Sequence, residues 1–312
     1  MASSSPLLGT PPPDTRPLYA LTLRLMAALA ISVNFACVKW AGDRGVHVVE
    51  TLFYRQLLSL PLAFFMLMIG PGIASIRTTR LGMHASRTLV GVTGMFLNFG
   101  AVILLPLAEV TTIGFTVPIF ATILSVLFLG ERPGMHRWLA VLVGFMGVLV
   151  IINPGGSHAG ISQFGLGVAM AGAIVTSFVS LLLRQIGRTE APTTTVFYFA
   201  ALSLPPLMVA MVFYGQWHDA GTMAILVLMG IAGGVAQLCM TSSLRWGPVS
   251  LVLPMDYSTL LWSTLFGWML WSNWPGPTTW IGAAIIAGSS FYIAWRERIR
   301  RRTTVKTALS TE

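Results

Sequence analysis

The chain has 312 residues, 55% of them hydrophobic and 9% charged, where an average soluble domain carries roughly 25% charged residues. So few charges cannot cover the surface of a soluble protein of this size, so the composition points to a chain embedded in lipid. The net charge of +9 does not indicate a nucleic-acid partner: the basic residues are scattered over connections and a tail, with no basic face interleaved with aromatics, and anionic headgroups account for them.

Residues 1–17 form a polar, Pro-rich head (Pro6, Pro11, Pro12, Pro13, Pro17) without the small-residue cleavage site of a signal peptide. This predicts a disordered tail ahead of a retained first helix. Ten apolar segments follow, near 18–41, 46–69, 86–105, 107–129, 135–153, 161–185, 192–214, 221–244, 248–271 and 277–295. Each is about the ~20 residues that cross a hydrocarbon core of ~30 Å. The connections are short and leave no room for a soluble domain. The longest lie around 71–86 and at 153–160 (NPGGSHAG), the latter dividing the chain near its middle. A basic tail at 297–312 ends the sequence.

With the amino terminus in the cytoplasm, 15 of the 19 Lys and Arg residues fall on the inner side: Arg16, Arg77, Arg80, Arg87, Arg132, Arg137, Arg184, Arg188, Arg245, Arg296, Arg298, Arg300, Arg301, Arg302 and Lys306. The outer side holds only Lys39 and Arg44, while Arg24 and Arg55 lie inside spans. The positive-inside rule therefore places both termini in the cytoplasm and requires an even number of passes.

Shifting the second half back by 142 residues aligns Gly91 with Gly233, Pro133 with Pro275 and Trp138 with Trp280, and brings Pro61 within two residues of Pro205. The matches fall in four span pairs at one offset, which predicts two five-helix repeats at 18–153 and 161–296. An odd repeat unit re-enters the membrane from the opposite side, so the halves are inverted. Charge agrees: Glu109 precedes the fourth span and Arg245 the ninth. Inverted repeats in transporters enclose a central site at their interface.

The segment 105–155, LPLAEVTTIGFTVPIFATILSVLFLGERPGMHRWLAVLVGFMGVLVIINPG, resembles the EamA repeat of the drug/metabolite transporter superfamily through Pro118, Gly130–Glu131, Gly144 and Gly147. The segment MDYSTLLWSTLFGWMLWSNWPGPTTWIGAAIIAGSSF resembles it more loosely, with Asn273 where the family usually has glutamate and Leu260 where it has proline. Asn34, Phe35 and Lys39 in the first span and Arg55 in the second also resemble family patterns. The resemblance covers roughly 18–296 and implies a ten-helix carrier of small metabolites in a bacterial inner membrane. It leaves substrate and direction open, and the lost second glutamate puts in doubt any role needing both acids.

Individual residues carry the candidate site. Asp256, about 10–13 Å into the ninth span at 1.5 Å per residue, is an acid at membrane depth, which by default faces a cavity or a partner; the competing readings are a structural ion pair and a snorkelled acid. It follows Pro254, which removes a backbone donor and leaves carbonyls free for a substrate ammonium. Arg55 could hold a substrate carboxylate but reads more readily as an anchor to Glu50 or to a helix end. With Arg55 and Glu50, Lys39 and Glu131 are charge or gating candidates, Glu131 as part of an inner-mouth ion pair or as a solvated helix-end charge.

Asn34, Trp40, Tyr54, Asn98, Gln237, Tyr257 and Trp262 offer a binding surface of aromatics with a few polar groups. Helix-to-helix hydrogen bonding and an interfacial aromatic belt (Trp40, Trp271, Trp274) are the competing readings. Gly91, Gly94, Gly230, Gly233 and Gly234 predict close packing of the third and eighth spans. Pro61 and Pro205 predict paired kinks that could act as hinges with Pro118 and Pro254.

The five His residues are scattered singly, without zinc spacing or a nucleophile–base pair. Cys37 and Cys239, far apart inside spans, read as small buried or lipid-facing residues rather than a disulfide or metal pair. No cofactor, metal or enzymatic activity is expected. The partners are a small-molecule substrate and the bilayer, and the carrier works as a monomer or a homodimer. The expected function is export of amino acids or similar amphipathic compounds by alternating access. Its near rival is uptake of a cofactor-like metabolite such as riboflavin or S-adenosylmethionine. A non-transporting sensor or intramembrane enzyme is a different class, for which the sequence supplies neither a signalling domain nor a catalytic pair.

Overall fold

A computed structural model describes residues 16–70, 72–130, 134–152, 162–187, 189–246 and 252–309. Among them there are no strands, and eleven α-helices build the bundle: α1 (Pro17–Asp43), α2 (Val48–Ile69), α3 (Leu81–Leu104), α4 (Leu107–Gly114), α5 (Val117–Leu129), α6 (Met135–Ile152), α7 (Gln163–Ile186), α8 (Pro192–Tyr214), α9 (Ala220–Trp246), α10 (Ser258–Trp271) and α11 (Pro277–Leu309). Two short 3₁₀ segments, Ile73–Ile76 and Leu253–Tyr257, join them. The fourth pass is α4 followed by α5, and the ninth is the 3₁₀ segment Leu253–Tyr257 followed by α10. Counted this way, the chain makes ten helical passes in two five-helix repeats.

Length and apolarity suffice for a full crossing in α1, α2, α3, the α4–α5 pair, α7, α8 and α9, and a shorter apolar helix covers Trp138–Ile151. Large apolar side chains point outward, among them Leu89 at 72% exposure and Phe213 at 78%. Such a surface is compatible with lipid and would aggregate in water.

The helices pair according to the repeat. α1 packs on α9 and α3 on α7; α2 packs on α9 and α3 on α8; α1 packs on α10, while α4 and α5 pack on α7. Exchanging the two halves maps the members of each of these pairs onto one another, and maps the contacts α2 with α8, α6 with α11 and α4 with α10 onto themselves. Almost all of the close packing therefore runs between halves rather than within them.

The 142-residue register also appears in the backbone. α5 ends at Gly130 with φ 62°, and α10 ends 142 residues later at Ser272 with φ 55°. Both C-caps are left-handed, the conformation that closes a helix by turning its last carbonyls onto following amides.

Small residues set the closest crossings, as expected for helices in lipid. A Cβ on Gly233 would lie 3.1 Å from both Arg55 Nε and Asn34 Nδ2, and one on Gly91 would lie 2.9 Å from the Phe199 ring. α9 thus lies against α2 and α3 against α8. The larger apolar core gathers Val38, Leu52, Val102, Leu105, Leu107 and Met229. A second core, with Ile119, Val141, Val148, Ile151 and Ile286, joins α5, α6 and α11.

Two boundaries differ from the sequence expectation. α3 begins at Leu81 rather than near 86, and α11 runs on to Leu309 instead of giving way to a tail at 297. The stretch 289–309 has no Gly or Pro and is rich in Arg, a good helix former, so nothing ends the helix at the membrane edge. Pro61 and Pro205 lie inside helices that continue through them. Pro118 and Pro254 instead occupy the first turn of new helical segments, where the missing amide costs nothing.

Candidate functional site

The fourth and ninth passes are both interrupted, and their interruptions meet. Between α4 and α5 the chain turns through Phe115 and Thr116, and the 3₁₀ segment before α10 carries Asp256 and Tyr257. The Phe115 and Tyr257 rings meet edge to face, with centroids 4.9 Å apart. Carbonyls freed by the fourth-pass break are satisfied by side chains: Ser290 Oγ donates to Phe115 O at 2.9 Å and Ser177 Oγ to Val117 O at 2.9 Å. Irregular backbone at membrane depth persists when neighbours satisfy it in this way.

A cavity of about 200 Å³ opens beside these breaks. α1 contributes Ile31 and Phe35, α3 Asn98, α4 Thr111, the fourth-pass break Phe115, α9 Met240, the ninth pass Asp256, and α10 Thr259. Both halves therefore wall it. A hydroxyl chain closes one side: Thr111 Oγ1 donates to Ser263 Oγ at 2.9 Å, and Ser32 Oγ reaches Ser263 Oγ at 3.4 Å and Thr259 O at 3.2 Å. It ties α1, α4 and α10 together.

Asp256 is held by Arg24. Nε and Nη2 of Arg24 each donate to a carboxylate oxygen at 2.5 Å, and Nη1 donates to Met240 O at 3.3 Å. The bidentate fork fixes the orientation of the carboxylate as well as its charge. Arg24 is 1% exposed, whereas Asp256 keeps 42% of its side-chain surface open. An acid at the cavity edge thus rests on a guanidinium buried behind it. Arg24 was visible in the sequence only as a charge inside the first span; the rule that such charges find a partner was the available signal, and it could not say which acid.

The other sequence candidates separate. Asn98 lines the cavity, and its amide donates to Gly94 O at 2.7 Å and Thr176 Oγ1 at 3.1 Å. Asn34 is buried and donates to Met229 O at 2.7 Å, which makes it a tie between α1 and α9. Trp40 is 39% exposed beneath Arg44, at the periphery rather than the cavity. Tyr54 packs on Phe53 and the apolar core. Gln237 and Trp262 are half-buried, and among the described residues Gln237 has no hydrogen-bond partner. Glu131 lies outside the described residues.

The charged candidates are paired differently from expectation. Glu50 does not meet Arg55: it accepts from His47 N at 3.1 Å, closing a capping box on α2, and from Gln216 N at 3.1 Å and His218 Nε2 at 2.8 Å. A carboxylate at the first turn of a helix is already well placed there. Arg55 instead donates to Gln56 Oε1 at 3.0 Å and contacts Met95 Sδ at 3.3 Å. Lys39 is not on the outer surface. It is buried in α1, and its ammonium donates to the closing carbonyls of α3, the nearest being Leu105 O at 2.9 Å, as a cation at a helix carboxyl end does. Arg87, counted with the inner loops, is buried as well.

Ten helical passes in two repeats, with broken fourth and ninth passes around a cavity, define a membrane carrier. The sequence profile of the EamA-like transporter family matches residues 18–153 and 163–295, and this chain belongs to that family. It is a multi-pass membrane transporter, not an enzyme. It is 29% identical over 290 residues to a riboflavin transporter of Vibrio cholerae, covering 92% of this chain and 96% of that one. It is 28% identical to a pseudopaline exporter of Pseudomonas aeruginosa (85% and 92% covered). It is 23% identical to an S-adenosylmethionine uptake transporter of Rickettsia bellii (88% and 92% covered). One solved crystal structure shares the fold at a TM-score of 0.62 and 21% identity, covering 89% of this chain and 97% of that one.

Proposed function

We propose that this protein takes up a cofactor-like heteroaromatic metabolite of the riboflavin type across a bacterial inner membrane, with both termini in the cytoplasm and the repeats 18–153 and 161–296 rocking about the central cavity. The observation that carries the reading is the cavity at the two broken passes. Phe35 and Phe115 supply apolar aromatic walls, while Asn98, Thr111 and Asp256 supply a few polar groups. That combination suits a flat heteroaromatic ring with a hydroxylated side chain. Similarity along nearly the full length to several riboflavin transporters supports it.

A second reading is export of amino acids or similar amphipathic compounds, the expectation drawn from sequence. It is favoured by the half-open Asp256 carboxylate, which is placed to meet a solute ammonium, and by the similarity to an exporter. Proteoliposomes separate the two. The uptake reading expects saturable flux of labelled riboflavin that excess cold riboflavin suppresses and amino acids do not. Flux of amino acids with none of riboflavin would replace it with the second reading. Reporter fusions at both chain ends test the orientation, and an exported end would overturn it.

A further inference from the structure

A second polar cluster, none of whose arginines lines the cavity, lies where α2, α3 and α8 pack on one another and α9 lies against α2. Arg55 and Arg87 approach it from two helices. Arg55 Nη1 touches Met95 Sδ at 3.3 Å, and Arg87 Nη1 would lie 3.3 Å from a Cβ on Gly91. Gly91 and Met95 are one turn apart, so both guanidiniums lie along one face of α3. Two like charges along one face of a helix repel each other.

Among the described residues neither has an acid. The carboxylates whose side chains are described are engaged elsewhere: Asp43 with Trp271, Glu50 with His218, Glu109 with Thr279, Glu190 with Thr78, Asp219 with Thr222 and Asp256 with Arg24. Arg87 is 9% exposed, and its Nε and Nη1 are buried without a hydrogen-bond partner. Phe199 covers one guanidinium face at 3.7 Å, and an oxyanion would bind along the planar edge that carries the N–H groups. Hydroxyls of Ser59 and Thr88, on the same two helices as the arginines, are also buried and unpartnered. Arginine does not shed its proton in a protein, so two such charges need an anion.

We infer that the space where α2 and α3 meet α8 and α9 is an oxyanion site, in which Arg87 and Arg55 clasp a phosphate or carboxylate group. The chemistry fits a soluble anion or the headgroup of an anionic lipid entering between helices. The inference rests on two guanidiniums that no described carboxylate meets, one of them with buried unpartnered N–H groups, and is independent of which solute the carrier moves.

Thermal unfolding of the purified full chain in nanodiscs tests it without any transport measurement. In phosphatidylcholine discs, inorganic phosphate or acetate is titrated; in a parallel arm, phosphatidylglycerol replaces part of the lipid and no anion is added. One arm or the other raises the melting temperature by roughly 5 °C at saturation. A response to soluble anion assigns the site to a free oxyanion, and a response to phosphatidylglycerol alone assigns it to a headgroup. Arg87→Gln removes the response, Arg55→Gln weakens it about tenfold, and Arg44→Gln, at an exposed arginine over Trp40, leaves it unchanged. Isothermal titration on the same preparations reads binding directly should a variant alter the unfolding transition itself. No response in either arm, or the same response in Arg87→Gln as in the unaltered protein, would overturn the assignment.

Discussion

Arg24 and Asp256 are 232 residues apart in sequence and form a two-pronged ion pair at 2.5 Å, joining the first pass of one repeat to the broken ninth pass of the other. Its two ends are unequal: the guanidinium is sealed and the carboxylate half open. Asp256→Asn therefore strands a buried charge. It is expected to cost about 1–3 kcal/mol, less than the full penalty for a sealed pair because solvent or solute reaches the carboxylate side. Combining it with Arg24→Gln restores much of the melting temperature but not transport. Recovery of flux in the double variant would show the pair to be scaffolding alone. In the uptake assay, retention of full pH-driven accumulation by Asp256→Asn would rule out a proton-carrying role for this acid.

Phe115 both closes the break in the fourth pass and walls the cavity. Removing its ring takes away aromatic surface facing the solute without touching a charge. Phe115→Ala is expected to raise the KM for riboflavin flux by about three- to tenfold, in line with the ~0.5–1.5 kcal/mol of an aromatic contact. Tyr257→Phe keeps the ring and is expected to leave KM within about twofold. Equal effects of the two variants would place recognition elsewhere.

Much of this architecture was legible because it depends on patterns rather than contacts. Apolar runs of bilayer length marked the passes, and the 142-residue register reappears in the paired left-handed caps at Gly130 and Ser272. Pro118 and Pro254, hinge candidates in the sequence, fell where helices restart. The cavity was only partly legible. Asp256 and Asn98 stood out as polar groups at membrane depth, whereas Arg24 and Phe115 did not, because an ion pair across 232 residues depends on which helices become neighbours. The same limit explains Lys39 and Glu50. Their charges suggested gating; Lys39 meets the carboxyl end of α3, far away in sequence, while Glu50 caps its own helix, a local role that the sequence pattern does not separate from a functional one.

Asp219 caps α9 from the connection that leads into it. Its carboxylate accepts from the Thr222 hydroxyl at 2.5 Å and from the Thr222 and Gly221 amides at 3.1 and 2.9 Å. The Thr222 hydroxyl first, and then these amides, hold its pKa below the ordinary aspartate value. A depressed carboxyl contributes stability above its unfolded pKa of about 3.9, and the contribution disappears as pH falls through the lower folded value. Asp219→Ala is therefore expected to melt below the unaltered protein at pH 7, with the gap closing in acid. A difference that persists undiminished below both values would show that the side chain acts through something other than its charge.

Gly282 on α11 faces Gly147 on α6 at the crossing of the fifth and tenth passes. A Cβ at Gly282 would lie 2.7 Å from Gly147 O and 2.4 Å from Ile151 Cγ1. Side chains can rotate away from such a clash, but a backbone carbonyl cannot, so the helices must separate. Gly282→Ala is expected to destabilise by about 1–3 kcal/mol, the usual range for overpacking a close interface. Gly288, two turns along the same helix, is exposed and has nothing within 4 Å of its would-be Cβ. Gly288→Ala should gain up to about 1 kcal/mol from helix propensity alone. Opposite shifts in melting temperature from one chemical change would isolate the crossing as the cause. If both variants shift upward, α6 and α11 do not approach each other this closely.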